Sequence, residues 1–176
     1  ALAQSINTTP LYLARDIGID AVINTARKVG LIDKINRDFS IVLGSSAVRM
    51  IDLVAAYGVF ANKGYGIIPY SIERVKTASG NVLYERHPSD KEPLFSEKVI
   101  YGMDDMMRSV ISNGTGKRAN LGIGTAGKTG TSQNNVDAWF IGYYGNIVGG
   151  VWLGNDDNSP MGEKTYGGAL PAQIWG

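Results

Sequence analysis

The stretch Gly122-Ile123-Gly124-Thr125-Ala126-Gly127-Lys128-Thr129-Gly130-Thr131 can be read as two incompatible local structures. Residues 122–129 satisfy the pattern Gly, four residues, Gly-Lys-Thr, in which backbone N–H groups and a lysine cradle phosphates. That device needs a hydrophobic strand before it and a helix starting at the lysine. Before it stands a polar glycine loop, Ser112-Asn113-Gly114-Thr115-Gly116-Lys117-Arg118. After it, Thr131-Ser132-Gln133-Asn134-Asn135 starts no helix and leads to the apolar run from Asp137. The other reading is a strand over 123–131 that carries Lys128-Thr129-Gly130 along its edge. There a glycine removes bulk where a ligand lies on the backbone. A lysine brings a compact positive charge, and the neighbouring hydroxyls and N–H groups bind an anion or a developing oxyanion. A nucleotide hydrolase built on Gly122 to Thr129 remains the alternative to an acyl-transfer site.

Outward from this segment, two more strands are expected at 137–144 and 147–153, joined by the tight turn Gly145-Asn146 and therefore antiparallel. The first part of the chain reads as helical. Thr9-Pro10 opens a helix to Ile17, and Asp20 caps another over 21–29 that stops at Gly30. Ser46 caps a third over 48–62, apolar almost all round and hence buried. A hairpin pairs 67–76 with 81–86 across Ala78-Ser79-Gly80, and Ser96 caps a helix over 97–111. Helices first and a strand meander last make the chain α+β, with a mainly helical part at 1–121 and a sheet part at 122–176.

Composition narrows the function. With 17 Lys+Arg against 16 Asp+Glu, the net charge of +1 leaves no basic face for nucleic acid. With no Cys, the chain has neither a thiol nucleophile nor a Cys-ligated metal. Hydrophobic residues at 44% can build a core. The 23 glycines, well above the usual share of about 7%, point to tight turns and close backbone approach. His87, the single His, stands in a polar loop beside Pro88 and reads as surface. Asp156-Asp157 and Asp104-Asp105 read as solvated or capping acids, and no metal or cofactor is expected. No apolar stretch reaches the roughly 20 residues of a membrane span. The start at Ala1 without Met, and the apolar end at Gln173-Ile174-Trp175-Gly176, suggest an excised piece.

Several further segments occur in a fixed order. They are Gln4-Ser5-Ile6-Asn7-Thr8-Thr9-Pro10, Phe60-Ala61-Asn62-Lys63-Gly64, Asn113-Gly114-Thr115-Gly116 and Ala126 to Thr131. Asp137-Ala138-Trp139-Phe140-Ile141-Gly142-Tyr143, Gly154-Asn155-Asp156-Asp157-Asn158-Ser159-Pro160-Met161 and Gly167-Gly168-Ala169-Leu170-Pro171-Ala172 follow. This set resembles the transpeptidase domain of class A (bifunctional) penicillin-binding proteins over essentially the whole chain. The resemblance implies the penicillin-binding/serine β-lactamase-like fold, incomplete here, and a domain that cross-links peptidoglycan stem peptides through an acyl-enzyme on serine.

One departure qualifies that implication. No Ser in the sequence is followed at the third position by Lys, so the nucleophile motif Ser-x-x-Lys is absent and is expected to precede Ala1. On this reading the chain alone is inactive. Residue by residue, the resemblance assigns Ser5 a proton relay to the leaving group. Asn7 would hydrogen-bond the donor's amide and the missing motif's lysine, and Lys128 would supply a fixed charge beside Ser5. The hydroxyls of Thr129 and Thr131 would hold a carboxylate. Gly130 would leave room for substrate, and the Thr131 N–H would form half of the oxyanion hole. Stem peptides, β-lactams and the missing N-terminal part of the same domain are the implied partners, without cofactor, metal or nucleic acid. The implied location is the outer face of the cytoplasmic membrane, reached through an anchor not in this chain.

Overall fold

A computed structural model describes residues 1–32, 35–87 and 92–176. The chain opens with a 3-10 turn, Leu2–Gln4, and two helices, α1 (Thr8–Ile17) and α2 (Ile19–Lys28), joined by Gly18 alone. Gly18 closes one helix and starts the other at φ +86°, a conformation that costs glycine little. α1 begins two residues earlier than expected, with Asn7 instead of Thr9 at its N-cap, and Pro10 falls in the first turn, where a missing N–H breaks no helical bond. Asp20 lies in the first turn of α2 instead of capping it and pairs with Arg37 at 2.7 Å.

α3 (Met50–Ala61) starts later than expected, capped by Arg49, and the Ser46 hydroxyl is buried without a hydrogen-bond partner among the described residues. α3 is covered nearly all round, as its apolar surface implies: Ala56, Gly58 and Val59 are buried, residues 52–61 are otherwise half-buried, and only Met50 and Ile51 in the first turn are exposed. The hairpin shrinks to β1 (Arg74–Lys76) and β2 (Val82–Glu85), antiparallel with a bulge at Val75/Lys76. Residues 67–73 stay outside it; Pro69 has no N–H to give a ladder. α4 (Glu97–Ser112) follows, with Ser96 at its N-cap but no side-chain capping bond.

The main sheet contains β3 (Ala126–Thr131), β4 (Asp137–Tyr144) and β5 (Ile147–Gly154) in the order β3-β4-β5, all antiparallel. β3 begins three residues later than the sequence pattern implies. Gly122 and Gly124 take φ of +121° and +106°, incompatible with a strand, and leave Ile123 fully exposed between them. Lys128 therefore sits in the middle of a strand and begins no helix, which removes the phosphate-loop alternative.

Directly opposed residues share a face. Lys128, Ile141 and Gly150 thus face the same way as Gly130, Trp139 and Trp152, toward α3. Gly150 lets α3 come close, since a Cβ there would lie 2.8 Å from Val54. On the opposite face Phe140 is fully buried against Ile111, Ala119, Ala172 and Trp175. Trp175 belongs to α5 (Leu170–Trp175), a helix the sequence pattern did not suggest; its indole donates to Gly149 O at 2.9 Å. α4 lies along β3, with Met107 against Ala126 and Tyr143 and Ile111 against Phe140. Among the described residues no helix is long and apolar enough to cross a membrane.

Candidate active site

The site grows from the start of the chain. The turn Leu2–Gln4 ends on Ser5 at φ 51° and ψ 45°, left-handed and uncommon for a serine. The loop after α4 holds the turn in place. Gln4 Nε2 donates to Asn113 O at 2.9 Å, and the Thr115 N–H donates to Ala3 O at 3.0 Å. Gly114 permits this approach, because a Cβ would lie 2.1 Å from Ala3 O.

β3 meets the turn from the other side. Lys128 Nζ donates to Ser5 Oγ, across 123 positions of sequence, and to Thr129 O at 2.9 Å. Burial lowers the Lys128 pKa below the ordinary lysine value. A charged lysine only donates, so the Ser5 oxygen accepts and its own proton is left to aim elsewhere; a neutral lysine could instead accept that proton. Either way, the pair can hold and pass a proton at Ser5 Oγ.

The other expected residues spread around this contact. Asn7 is exposed at the N-cap of α1, two positions past Ser5. Thr129 Oγ1 lies 2.6 Å from Thr115 Oγ1, and Thr131 Oγ1 accepts from the Gly167 N–H at 3.0 Å. Gly167 rests directly on the strand pair, since a Cβ there would lie 2.3 Å from Gly130 O and 2.4 Å from Trp139 O. Gly168 packs equally tightly on Thr115 O. Lys128, Thr129, Gly130 and Thr131 line a cleft of about 880 Å³, walled by Trp139 and Trp152 with ring centres 6.2 Å apart. His87 is exposed, and Asp157 is engaged in its own turn, accepting from the Ser159 N–H at 2.9 Å. Thr115, Gly114 and Gly167 carry no catalytic motif of their own, and their one signal in the sequence is their presence in the ordered set of segments.

A family model, the penicillin binding protein transpeptidase domain, matches residues 1–174. The chain belongs to this family. Penicillin-binding protein 1A of Aquifex aeolicus is 39% identical over 99% of the chain, and penicillin-binding protein 1B of Vibrio cholerae is 34% identical over 97%. The chain spans 24% and 22% of those two relatives, about a quarter of their length. Among solved structures, PonA1 of Mycobacterium tuberculosis in complex with penicillin V superposes with a TM-score of 0.87. It is 28% identical, and the match covers 99% of this chain and 53% of that one. The α+β fold is thus that of penicillin-binding protein transpeptidase domains, and the relatives by sequence are of class A. Within this transpeptidase domain Lys128 of Lys128-Thr129-Gly130 touches Ser5 of Ser5-Ile6-Asn7, and no Ser-x-x-Lys occurs in the sequence.

Proposed function

We propose that this chain supplies two of the three motifs of a serine D,D-transpeptidase site, and that a longer protein supplies the third, the Ser-x-x-Lys nucleophile. The contact between Lys128 Nζ and Ser5 Oγ carries this reading. A half-buried lysine held against a hydroxyl is the kind of pair that can hand on a proton. In the reaction the nucleophile's oxygen attacks the carbonyl of the penultimate D-Ala of a donor stem peptide. The C–N bond to the terminal D-Ala breaks, and Ser5 passes a proton to the departing amine and is refilled by the proton that the nucleophile gives up. An acceptor amine then attacks the acyl carbon, the C–O bond breaks, and the nucleophile regains its proton. Lys128 stabilises the oxygen of Ser5 throughout, and the hydroxyls of Thr129 and Thr131 receive the terminal carboxylate. Asn7 binds the donor's amide. Gly130 leaves the strand open to the peptide, and the Thr131 N–H gives one donor to the oxyanion. β-Lactams acylate the same nucleophile. The work is done outside the cytoplasmic membrane, from an anchor elsewhere in the longer protein.

Labelling with a fluorescent penicillin tests this reading. The longer protein is expected to take up label stoichiometrically, and Lys128→Ala to slow the labelling about a hundredfold or more. This chain alone is expected to take up none. Labelling of the isolated chain, or an undiminished rate in Lys128→Ala, would refute it.

A further inference from the structure

We propose that Thr115, in the loop after α4, is a positioning residue that fixes the direction of the Thr129 hydroxyl and thereby the site's preference for a carboxylate. The inference rests on the transpeptidase reading and adds a residue to it. The two hydroxyls lie 2.6 Å apart, and either could donate. A threonine hydroxyl has one proton and two acceptor positions. Lys128 Nζ lies 3.4 Å from Thr129 Oγ1 and can only donate to it when charged. If Thr115 also donates, both acceptor positions of Thr129 are filled, and its proton is left for the cleft that Thr129 lines. If Thr129 donated to Thr115 instead, it would present no proton to a bound anion. The direction Thr115→Thr129 therefore makes Thr129 a committed donor.

The backbone around Thr115 fits a fixed part. Its N–H is held by Ala3 O at 3.0 Å, just before Ser5, and Gly168 is packed on its carbonyl. One residue thus ties together the Ser5 turn, the Lys128 strand and the Gly167-Gly168 segment that caps Thr131.

The test uses the longer protein and two probes, a penicillin with its free carboxylate and the methyl ester of the same compound. Second-order acylation rates are measured for wild type, Thr115→Val and Thr115→Ser, with a melting curve for each. Thr115→Val is expected to lose roughly tenfold or more in rate with the free acid and much less with the ester, as for a lost hydrogen bond to a charged group. Thr115→Ser is expected to restore the acid-to-ester ratio. If the valine variant does not fold, Thr115→Ala is read in the same way. A ratio within twofold of wild type in the variant lacking the hydroxyl, or a serine variant as poor as valine, overturns the inference. Failure of the transpeptidase reading shows separately, as a wild-type protein inert to penicillin or a Lys128→Ala variant that reacts at the wild-type rate.

Discussion

Lys128 pays for its position in stability. Its pKa is lowered in the folded chain by burial, so between that value and the unfolded lysine value of about 10.4 the unfolded chain binds more protons. The cost is fully present below the folded pKa and fades as pH rises toward the unfolded one. Lys128→Met should therefore melt higher than wild type at pH 7, by a margin that narrows toward pH 10; thermal melts at both pH values check this. Ser5 is the second strained position. Its left-handed backbone suits glycine better than any side chain, so Ser5→Gly and Ser5→Ala both remove the hydroxyl that Lys128 holds, with the glycine variant expected to be the more stable by about 1 kcal/mol. Equal denaturant midpoints for the two would show that the backbone there is unstrained.

Glycines govern how the elements meet. Gly167 lies on the backbone of β3 and β4, where a Cβ would stand 2.3 Å from a carbonyl oxygen that cannot move without breaking the ladder. Gly167→Ala should cost about 1–3 kcal/mol. Gly162→Ala, with nothing within 4 Å of its Cβ, should stay within about 0.5 kcal/mol of wild type. Urea denaturation of the pair separates a packing effect from a general intolerance of alanine in this loop. The seam between α3 and the sheet buries a titratable hydroxyl. The Tyr57 hydroxyl is pushed up by burial from about 10 to about 12. Its folded pKa is raised, so the stability it contributes is present below pH 10 and lost as pH rises through 12. Between those values Tyr57→Phe should lose stability less steeply than wild type in chemical denaturation.

Taken as a whole, the 176-residue chain presents a three-stranded sheet whose β5 has no strand partner on its outer side among the described residues. Ile147 on that strand is 68% exposed and Trp152 40%. An open edge with apolar side chains invites pairing with another copy. Sedimentation velocity on the isolated chain should show concentration-dependent association, and Ile147→Lys should reduce it. A strictly monomeric wild-type chain at high concentration would mean that this edge is not adhesive.

The sequence by itself determined the α+β class and the strand pairs. It also favoured a strand for Lys128-Thr129-Gly130, and the phosphate loop stayed an alternative until the structure put Lys128 inside β3. These readings rest on local signals: turn glycines, runs of apolar residues, and the absence of a helix-starting sequence after Thr131. Local signals were weaker at element boundaries. Ser46 looked like a cap but stands short of the helix with its hydroxyl buried, and residues 123–125 looked like strand although Gly122 and Gly124 take positive φ there. Only the tertiary structure decided which atoms meet. Thr115 became part of the site because Gly114 lets its loop approach Ala3 and Gly168 lets a distant segment settle on its carbonyl. Such contacts depend on the absence of side-chain atoms at a few positions far apart in the chain. No periodicity or spacing encodes that absence, because it acquires meaning only when the backbones are brought within reach of one another.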